Sequence, residues 1–238
     1  MSAVTLGISM TAFGAALGAV LVPVFNSMPG SWLTEVGEEP SGDVLAKPRL
    51  ESTTWALPLM FATILLSKMV AKVVTVWWAA PFAALAIALL ILVAISDIKY
   101  RVVPDQLVAG IAACGVALQA ARVSLGANPW LVIGNAIMGA TFAVAILMLV
   151  RRLVAKPGGT DPLGMGDFKL VFAAGLLLQG FEWVVFLLLT GVFGAVGAVA
   201  LRRMGRISDG MIAYAPFISA AAIVTLIFGA RLPGLLGM

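Results

Sequence analysis

Residues 81–96 read PFAALAIALLILVAIS, an apolar run without a charge that is followed at once by Asp97. About 20 apolar residues in a helix cross the roughly 30 Å of hydrocarbon in a bilayer. The run therefore predicts a membrane helix with a carboxylate at one end. Because a charge at such a place is energetically costly, Asp97 becomes a candidate for function.

The rest of the chain has the same apolar character. Of its 238 residues, 62% are hydrophobic and 11% are charged, and its mean hydropathy is +1.09, whereas soluble domains carry about 25% charged residues. The first run is rich in Gly and Ala, which favours close helix packing in lipid. We predict an all-α, polytopic membrane helix bundle that forms a single membrane-embedded domain over residues 1–238. Its eight predicted transmembrane helices lie near residues 5–25, 55–73, 81–96, 107–123, 130–150, 167–178, 182–201 and 211–228.

Polar segments separate these runs. Residues 26–54 form the longest one and are predicted to be a short loop within the domain. Residues 97–105 are predicted to be a polar hinge, and residues 151–166 a basic, glycine-rich loop. The first apolar run lacks a basic segment before it and is long enough to span, so we do not expect it to be a cleaved signal peptide.

Lys and Arg residues are distributed unevenly between the two sides of the predicted bundle. When the loops alternate, eleven lie on the side of residues 26–54 and 97–105, and four lie on the other side. The positive-inside rule then predicts that the first side is cytoplasmic and that both termini are outside. Asp97 and Asp167 both come to the cytoplasmic edge. The net charge of +4 is explained by these loops, so we expect a lipid bilayer and not nucleic acid as the surrounding partner.

The composition excludes several kinds of catalytic and metal site. The chain has no histidine and one cysteine, Cys114. Ser-His-Asp and Cys-His catalysis and His-ligated metal sites are therefore excluded, and one cysteine makes no zinc site. We expect no metal, and any catalysis would depend on carboxylates, hydroxyls, Lys or Arg.

Among the eleven acidic residues, Asp97 and Asp167 stand out because each adjoins an apolar run. A purely structural role remains open for both. Asp97 is spaced to pair with Arg101 at i,i+4, and Asp167 is placed to cap its helix. Five of the remaining acidic residues lie in the loop 26–54, where solvation explains them.

The other four acidic residues have simpler interpretations. Asp105 follows Pro104 and is placed to cap the fourth helix. Asp161, before a proline, is typical of a turn, and Asp209 is typical of a loop or a cap. Glu182 is predicted to be alone at the outer edge of the membrane.

The functional alternative is a pair of carboxylates that share one proton. One carboxylate would remove a proton from water that attacks a peptide carbonyl, and the other would act as the acid. Gly164 and Gly166 precede Asp167 and are expected to allow close backbone approach and φ > 0. Lys169 either donates charge-assisted hydrogen bonds near the site or is a positive-inside anchor.

Four stretches together resemble one family. They are GMGDFK at residues 164–169, SDIKYRVVPDQL at 96–107, IAYAPF at 212–217 and NSMP at 26–29. The first fits a GxGD signature with its trailing lysine, and the second resembles the family's other aspartate motif. The chain thus resembles the type IV prepilin peptidases, which are GxGD-type membrane aspartyl proteases. The supporting motif residues that the resemblance implies are Gly164, Gly166, Lys169, Arg101 and Pro104.

The resemblance implies an aspartic endopeptidase of the bacterial cytoplasmic membrane with its active site at the cytoplasmic side. Asp97 and Asp167 would be the catalytic pair. The substrates would be prepilins or pseudopilins, cleaved after a glycine that precedes their apolar helix, and the products would serve a type IV pilus or type II secretion. Many relatives also methylate the new N-terminus, so S-adenosylmethionine would be a cofactor only if that activity is retained. Larger members carry zinc-binding CxxC motifs in the first loop, but residues 26–54 contain no cysteine.

Two other function classes are compatible with a pair of membrane carboxylates. A proton- or ion-coupled transporter would use Asp97 and Asp167 as relay groups. However, both residues lie at one edge of the membrane in the predicted topology, and the sequence shows no internal repeat. A catalytically inactive scaffold of a pilus assembly is the other alternative, although the chain retains both aspartates and Lys169.

Overall fold

A computed structural model describes residues 3–27, 52–71, 76–154, 164–204 and 212–229. Within these ranges the chain forms α-helices and one short 3-10 helix, Trp77–Ala79, and it forms no strand. The all-α prediction is therefore confirmed for the part of the chain described. The α-helices of the described residues are α1 (Ala3–Ser27), α2 (Ser52–Ala71), α3 (Ala80–Tyr100), α4 (Asp105–Ser124), α5 (Pro129–Val154), α6 (Met165–Gly175), α7 (Glu182–Arg203) and α8 (Ala215–Phe228).

The helices form a polytopic membrane bundle. Five of them, α1, α3, α4, α5 and α7, are long and apolar enough to cross a bilayer. Helices α2 and α8 provide the shorter apolar stretches Leu57–Met69 and Ala215–Phe228. Helix α6 has 11 residues and is about 16 Å long, roughly half of the hydrocarbon thickness. It is therefore not a spanning helix by itself, although a short span was predicted near residues 167–178.

The helix ends alternate between the two ends of the bundle. The C-terminus of α3 adjoins the N-terminus of α8 through a hydrogen bond between Asp97 and Ala215. The N-termini of α4 and α6 adjoin through Asp105 and Lys169. This end of the bundle is called the dyad end below. The alternation agrees with the predicted order of loops, and the outside location of the termini remains a prediction.

Helix α3 is longer than the sequence predicts and lies at the centre of the bundle. It packs against α1, α2, α4 and α8. The predicted hinge at residues 97–105 is wrong in its first part, because α3 continues to Tyr100. The helix ends where Arg101 takes a left-handed conformation, with φ of 56°, and donates its main-chain N–H to Asp97 O at 2.9 Å. Asp97 therefore lies in the last turn of a buried helix.

Helices α1 and α2 show the close packing that the small residues of the first run predict. A Cβ atom at Gly14 would lie 2.8 Å from Thr63 O and 2.9 Å from Ile64 Cα. Thr63 Oγ1 donates a 2.7 Å hydrogen bond to Gly14 O. Glycine is thus needed for the contact of the two helices, and that prediction is confirmed.

Several sequence predictions concern residues outside the described ranges. They include most of the loop 26–54, the glycine-rich part of the loop 151–166, Asp161 and Asp209.

Candidate active site

Asp97 is held at the junction of α3 and α8. The residue is 6% exposed, and its Oδ2 accepts a 3.0 Å hydrogen bond from the main-chain N–H of Ala215. Ala215 is the first residue of α8, and the free N–H groups at a helix N-terminus bind anionic groups well. The bond therefore fixes the carboxylate of Asp97 and the start of α8 to each other.

Asp167 lies in the first turn of α6 and is also buried. Its Oδ2 accepts a 3.1 Å hydrogen bond from the N–H of Gly164. Since Gly164 has no side chain, this is one half of a capping box. The structural role predicted for Asp167, that of a helix cap, is thus confirmed. The cap is unusual because Asp167 as a residue is only 7% exposed.

The environment of Asp167 favours its protonated form. Helix α6 is not one of the five candidate spans. The pKa of Asp167 is raised to about 7: burial is the largest cause, the charge of Asp97 adds to the shift, and the N–H of Gly164 opposes it. Two carboxylates close together cannot both ionise cheaply. The two aspartates are therefore near enough for the charge of one to influence the proton of the other.

Two consecutive residues, Tyr214 and Ala215, lie beside the two aspartates. Burial raises the pKa of the Tyr214 hydroxyl, and the charge of Asp167 raises it further. Tyr214 Oη donates a 3.2 Å hydrogen bond to Thr190 O on α7. The start of α8 is therefore tied to both aspartates: its N-cap residue Tyr214 senses the charge of Asp167, and its first residue, Ala215, binds Asp97.

Gly166 allows the two aspartate motifs to pack directly. A Cβ atom at this position would lie 2.8 Å from the Cβ of Val103, in the turn after Asp97. At Gly164 the nearest atom to such a Cβ is Asp167 Oδ2 at 3.8 Å. Close approach is thus confirmed for Gly166 and not for Gly164. The prediction of φ > 0 is wrong at both, since the φ of Gly164 is −74° and Gly166 is not a positive-φ residue.

Lys169 and Asp105 form an ion pair between α6 and α4. Lys169 Nζ lies 2.7 Å from Asp105 Oδ2 and 2.9 Å from Oδ1, and both side chains are 54% exposed. The predicted capping role of Asp105 is wrong, because the N-cap is Pro104 and no side chain caps α4. The pair ties the starts of α4 and α6 together beside Asp167.

A second polar cluster lies at the opposite end of the bundle, between α4, α5 and the turn after α6. Gln119 Nε2 donates to Leu176 O at 2.6 Å. Gln179 Nε2 donates to Gln119 Oε1 at 2.6 Å and to Val132 O at 2.7 Å. These contacts hold the C-terminal side of α6 in place.

Glu182 belongs to the same cluster. It accepts a 2.8 Å hydrogen bond from the N–H of Gln179, and it lies 3.6 Å from Arg122 Nη2. The prediction that Glu182 is alone is therefore wrong.

The sequence reasoning missed the partners of the two aspartates. Ala215 binds through its main chain, so its side chain gives no signal. The signal that was available is the IAYAPF stretch, in which Pro216 marks the first turn of a helix. In the described ranges, no group of three or more Cys, Asp or Glu side chains is arranged to hold a metal ion.

Comparison with known proteins agrees with the motif resemblance. Residues 84–199 match the model of the type IV leader peptidase family. A prepilin leader peptidase/N-methyltransferase of Legionella pneumophila is 27% identical over 149 residues, which cover 62% of this chain and 50% of the relative. One of the same name from Aeromonas salmonicida strain A449 is 28% identical over 170 residues, which cover 70% of this chain and 56% of the relative.

The chain spans about half the length of the curated relatives that it matches. No solved structure matches it. The matched segment contains Asp97, Gly166 and Asp167, and therefore both aspartate motifs. Residues 84–199 of this chain are therefore similar to the type IV leader peptidase family, and the similarity includes both aspartate motifs.

Proposed function

We propose that this protein is a membrane aspartyl endopeptidase that removes the leader peptide of prepilins or pseudopilins, with Asp97 and Asp167 as its catalytic pair. The observation that carries the proposal is the buried junction of α3, α6 and α8. There, Asp97 accepts the N–H of Ala215, and the charge of Asp97 raises the pKa of Asp167. Similarity to relatives named prepilin leader peptidase/N-methyltransferase supports the substrate class.

The pair supplies one base and one acid. Near neutral pH the two carboxyl groups share one proton, and we assign it to Asp167 because its pKa is raised to about 7. Asp97 then accepts a proton from water as the water oxygen bonds to the scissile carbonyl carbon. The proton of Asp167 goes to the carbonyl oxygen and stabilises the developing charge there.

Collapse of the tetrahedral intermediate completes the reaction. The C–N bond breaks, and the leaving nitrogen receives the proton that Asp97 took from water. The hydroxyl of the intermediate returns its proton to Asp167, so the pair regains its starting state and one water has been consumed. Burial of both carboxyl groups keeps bulk water from competing with these transfers.

The proposal also includes the membrane in which the bundle lies and the face at which its active site opens. The bundle is inserted in the bacterial cytoplasmic membrane, and the dyad end lies at its cytoplasmic face. The excess of Lys and Arg on that side in the sequence supports this orientation. The dyad would thus be reached by a leader peptide that precedes an apolar segment.

In the described part of the chain, we considered two cavities as possible sites for S-adenosylmethionine. Two cavities of about 480 and 550 Å³ lie between α4, α5 and α6. Their linings are mostly Val, Ala, Ile, Leu, Pro and Phe, and two of their three polar side chains, Asp105 and Lys169, pair with each other. Such linings do not fit a charged, zwitterionic cofactor, so we assign no residue to it.

Co-expression with a candidate prepilin in membranes tests the proposal. The native protein should shorten the precursor by its leader, and Asp97→Asn and Asp167→Asn should each abolish the shortening. Asn keeps the size of the side chain and its hydrogen-bond acceptor but cannot exchange the catalytic proton. A single Asn variant that cleaves at the native rate would overturn the dyad, and the mass of the product would reveal any added methyl group.

A further inference from the structure

Helix α6 forms the floor of a groove whose walls are α4 and α5. Both walls pack closely on α6: a Cβ at Gly115 of α4 would lie 2.9 Å from Leu176, and a Cβ at Gly175 of α6 would lie 2.7 Å from Ala140 of α5. In contrast, α4 and α5 make few contacts with each other. The short helix therefore lies at the bottom of a gap between two long ones.

The gap contains the two cavities of about 480 and 550 Å³, which share Phe172 as a lining residue. Along the floor, Phe168 and Phe172 of α6 and its C-cap residue Leu176 follow one another at i, i+4 and i+8, so they lie on one face. Along α4, the lining extends from Asp105 to Val123, a distance of about 27 Å. The two cavities adjoin at Phe172, and together they follow this length of α4; we call the pair the groove.

The groove is accessible from the lipid side of the bundle. Val116 is 63% exposed and Phe172 is 39% exposed. The exposed wall also carries the small residues Ala109 and Ala120. Small side chains allow another helix to approach closely in a membrane.

The groove begins beside the dyad. Phe168 lines it and is the neighbour of Asp167 in the chain, and the Asp105–Lys169 pair stands at the same end. A helix lying in the groove with its N-terminus at this end would bring the residues that precede it to Asp167. This is the arrangement that cleavage immediately before an apolar helix requires.

We propose that this groove between α4 and α5 binds the apolar helix of the substrate during cleavage, an inference that rests on the proposed function. The length of the groove argues for this occupant. About 27 Å on α4 is close to the roughly 30 Å of the hydrocarbon core. One lipid acyl chain reaches across only half of that thickness and would leave the other half of the groove unfilled.

A variant far from the dyad tests the groove. Ala120→Phe adds a ring at the end of the groove away from Asp167, and Ala195→Phe adds the same ring at an exposed position on α7 that lines neither cavity. Each variant is assayed in proteoliposomes with a full-length precursor and with a soluble peptide that contains the cleavage site but lacks the apolar helix.

The proposal predicts that Ala120→Phe lowers kcat/KM for the full-length precursor by about tenfold or more. Cleavage of the soluble peptide by Ala120→Phe, and of both substrates by Ala195→Phe, should stay within about twofold of the native rate. An unchanged rate on the full-length precursor, or an equal loss on both substrates, would overturn the groove assignment.

Photocrosslinking distinguishes a failure of the groove assignment from a failure of the proposed peptidase function. A photoreactive side chain at Val116 should capture the apolar helix of the precursor in membranes, even where no cleavage occurs. Capture of phospholipid alone, or of a second copy of this chain alone, contradicts the proposal. If the native protein cleaves neither substrate, the proposed function fails, and the crosslink by itself then supports or contradicts binding in the groove.

Discussion

The main-chain N–H of Ala215 donates a 3.0 Å hydrogen bond to Asp97 Oδ2, and the two residues are 118 positions apart in the chain. The bond joins the last turn of α3 to the first turn of α8. Tyr214, the residue before Ala215, feels the charge of Asp167 from α6. The position of the 214–215 segment therefore sets the environment of both aspartates.

Gly166→Ala should reduce peptidase activity by about 10- to 100-fold, because small misplacements of catalytic groups are costly. The added Cβ would lie 2.8 Å from the Cβ of Val103, so the main chain that precedes Asp167 has to move. Gly164→Ala is the matched control, because its added Cβ meets nothing closer than 3.8 Å. Initial cleavage rates measure the effect. Equal rates for the two variants would show that the Gly166–Val103 contact does not position Asp167.

Gly194→Ala should also reduce activity, by about tenfold, through Tyr214. The added Cβ would lie 2.6 Å from Tyr214 Oη and Cε2, so the ring must move, and with it the segment that binds Asp97. Gly191→Ala, on the same helix, meets no atom within 4 Å and should keep native activity. If both variants retain native kcat/KM while remaining folded, the Tyr214 segment has no positioning role.

Protein stability should fall as pH rises from about 4 to about 7, in part because of Asp167. Its pKa is about 7 in the folded protein and about 3.9 in an unfolded chain. Between these values the folded protein keeps a proton that the unfolded chain has released, so raising the pH favours unfolding.

Asp167→Asn should therefore flatten this dependence. As the pH rises, the free energy of unfolding of the variant should increase relative to that of the native protein, by an amount on the order of a few kcal/mol at neutral pH. In detergent, this appears as an apparent Tm that rises relative to that of the native protein. Curves of Tm against pH that stay parallel for the two proteins would contradict the raised pKa.

Gln119→Ala should destabilise the folded protein by about 1–3 kcal/mol. The buried amide of Gln119 donates to Leu176 O and accepts from Gln179 Nε2, and the variant leaves both groups without this partner. Asn135→Ala, at an exposed position on α5, is the control and should change stability by less than about 0.5 kcal/mol. Thermal unfolding in detergent compares them. An equal Tm for the two variants would show that the cluster does not stabilise the bundle.

The sequence predicts the helices well because most of the apolar runs are close to the length that a membrane helix needs. It predicts their ends less well. The local sequence around Asp97 indicates the start of a polar hinge, but α3 includes this residue. The carboxylate of Asp97 accepts a hydrogen bond from Ala215, which is 118 positions away in the chain. A local pattern cannot show such a partner.

The candidate aspartates could be identified from sequence because charge is rare beside apolar runs, but their neighbours could not. Asp105 has the spacing of a helix cap, and its partner is Lys169, 64 residues later. Glu182 looks isolated, but it binds Gln179 and lies near Arg122. For Asp105 and Glu182, the sequence suggested a local role or an isolated residue. The structure instead shows each side chain close to a basic residue that is distant in the chain.

The rate of leader removal by purified variants in proteoliposomes tests the central claim most directly. Asp167→Asn and Asp97→Asn should each lower kcat by about a thousandfold or more, because the acid or base of the reaction is lost. Asp105→Asn removes a carboxylate that pairs with Lys169 at the surface and should keep the rate within about tenfold. A native rate in either dyad variant, or an equal loss in all three, would contradict a mechanism based on Asp97 and Asp167.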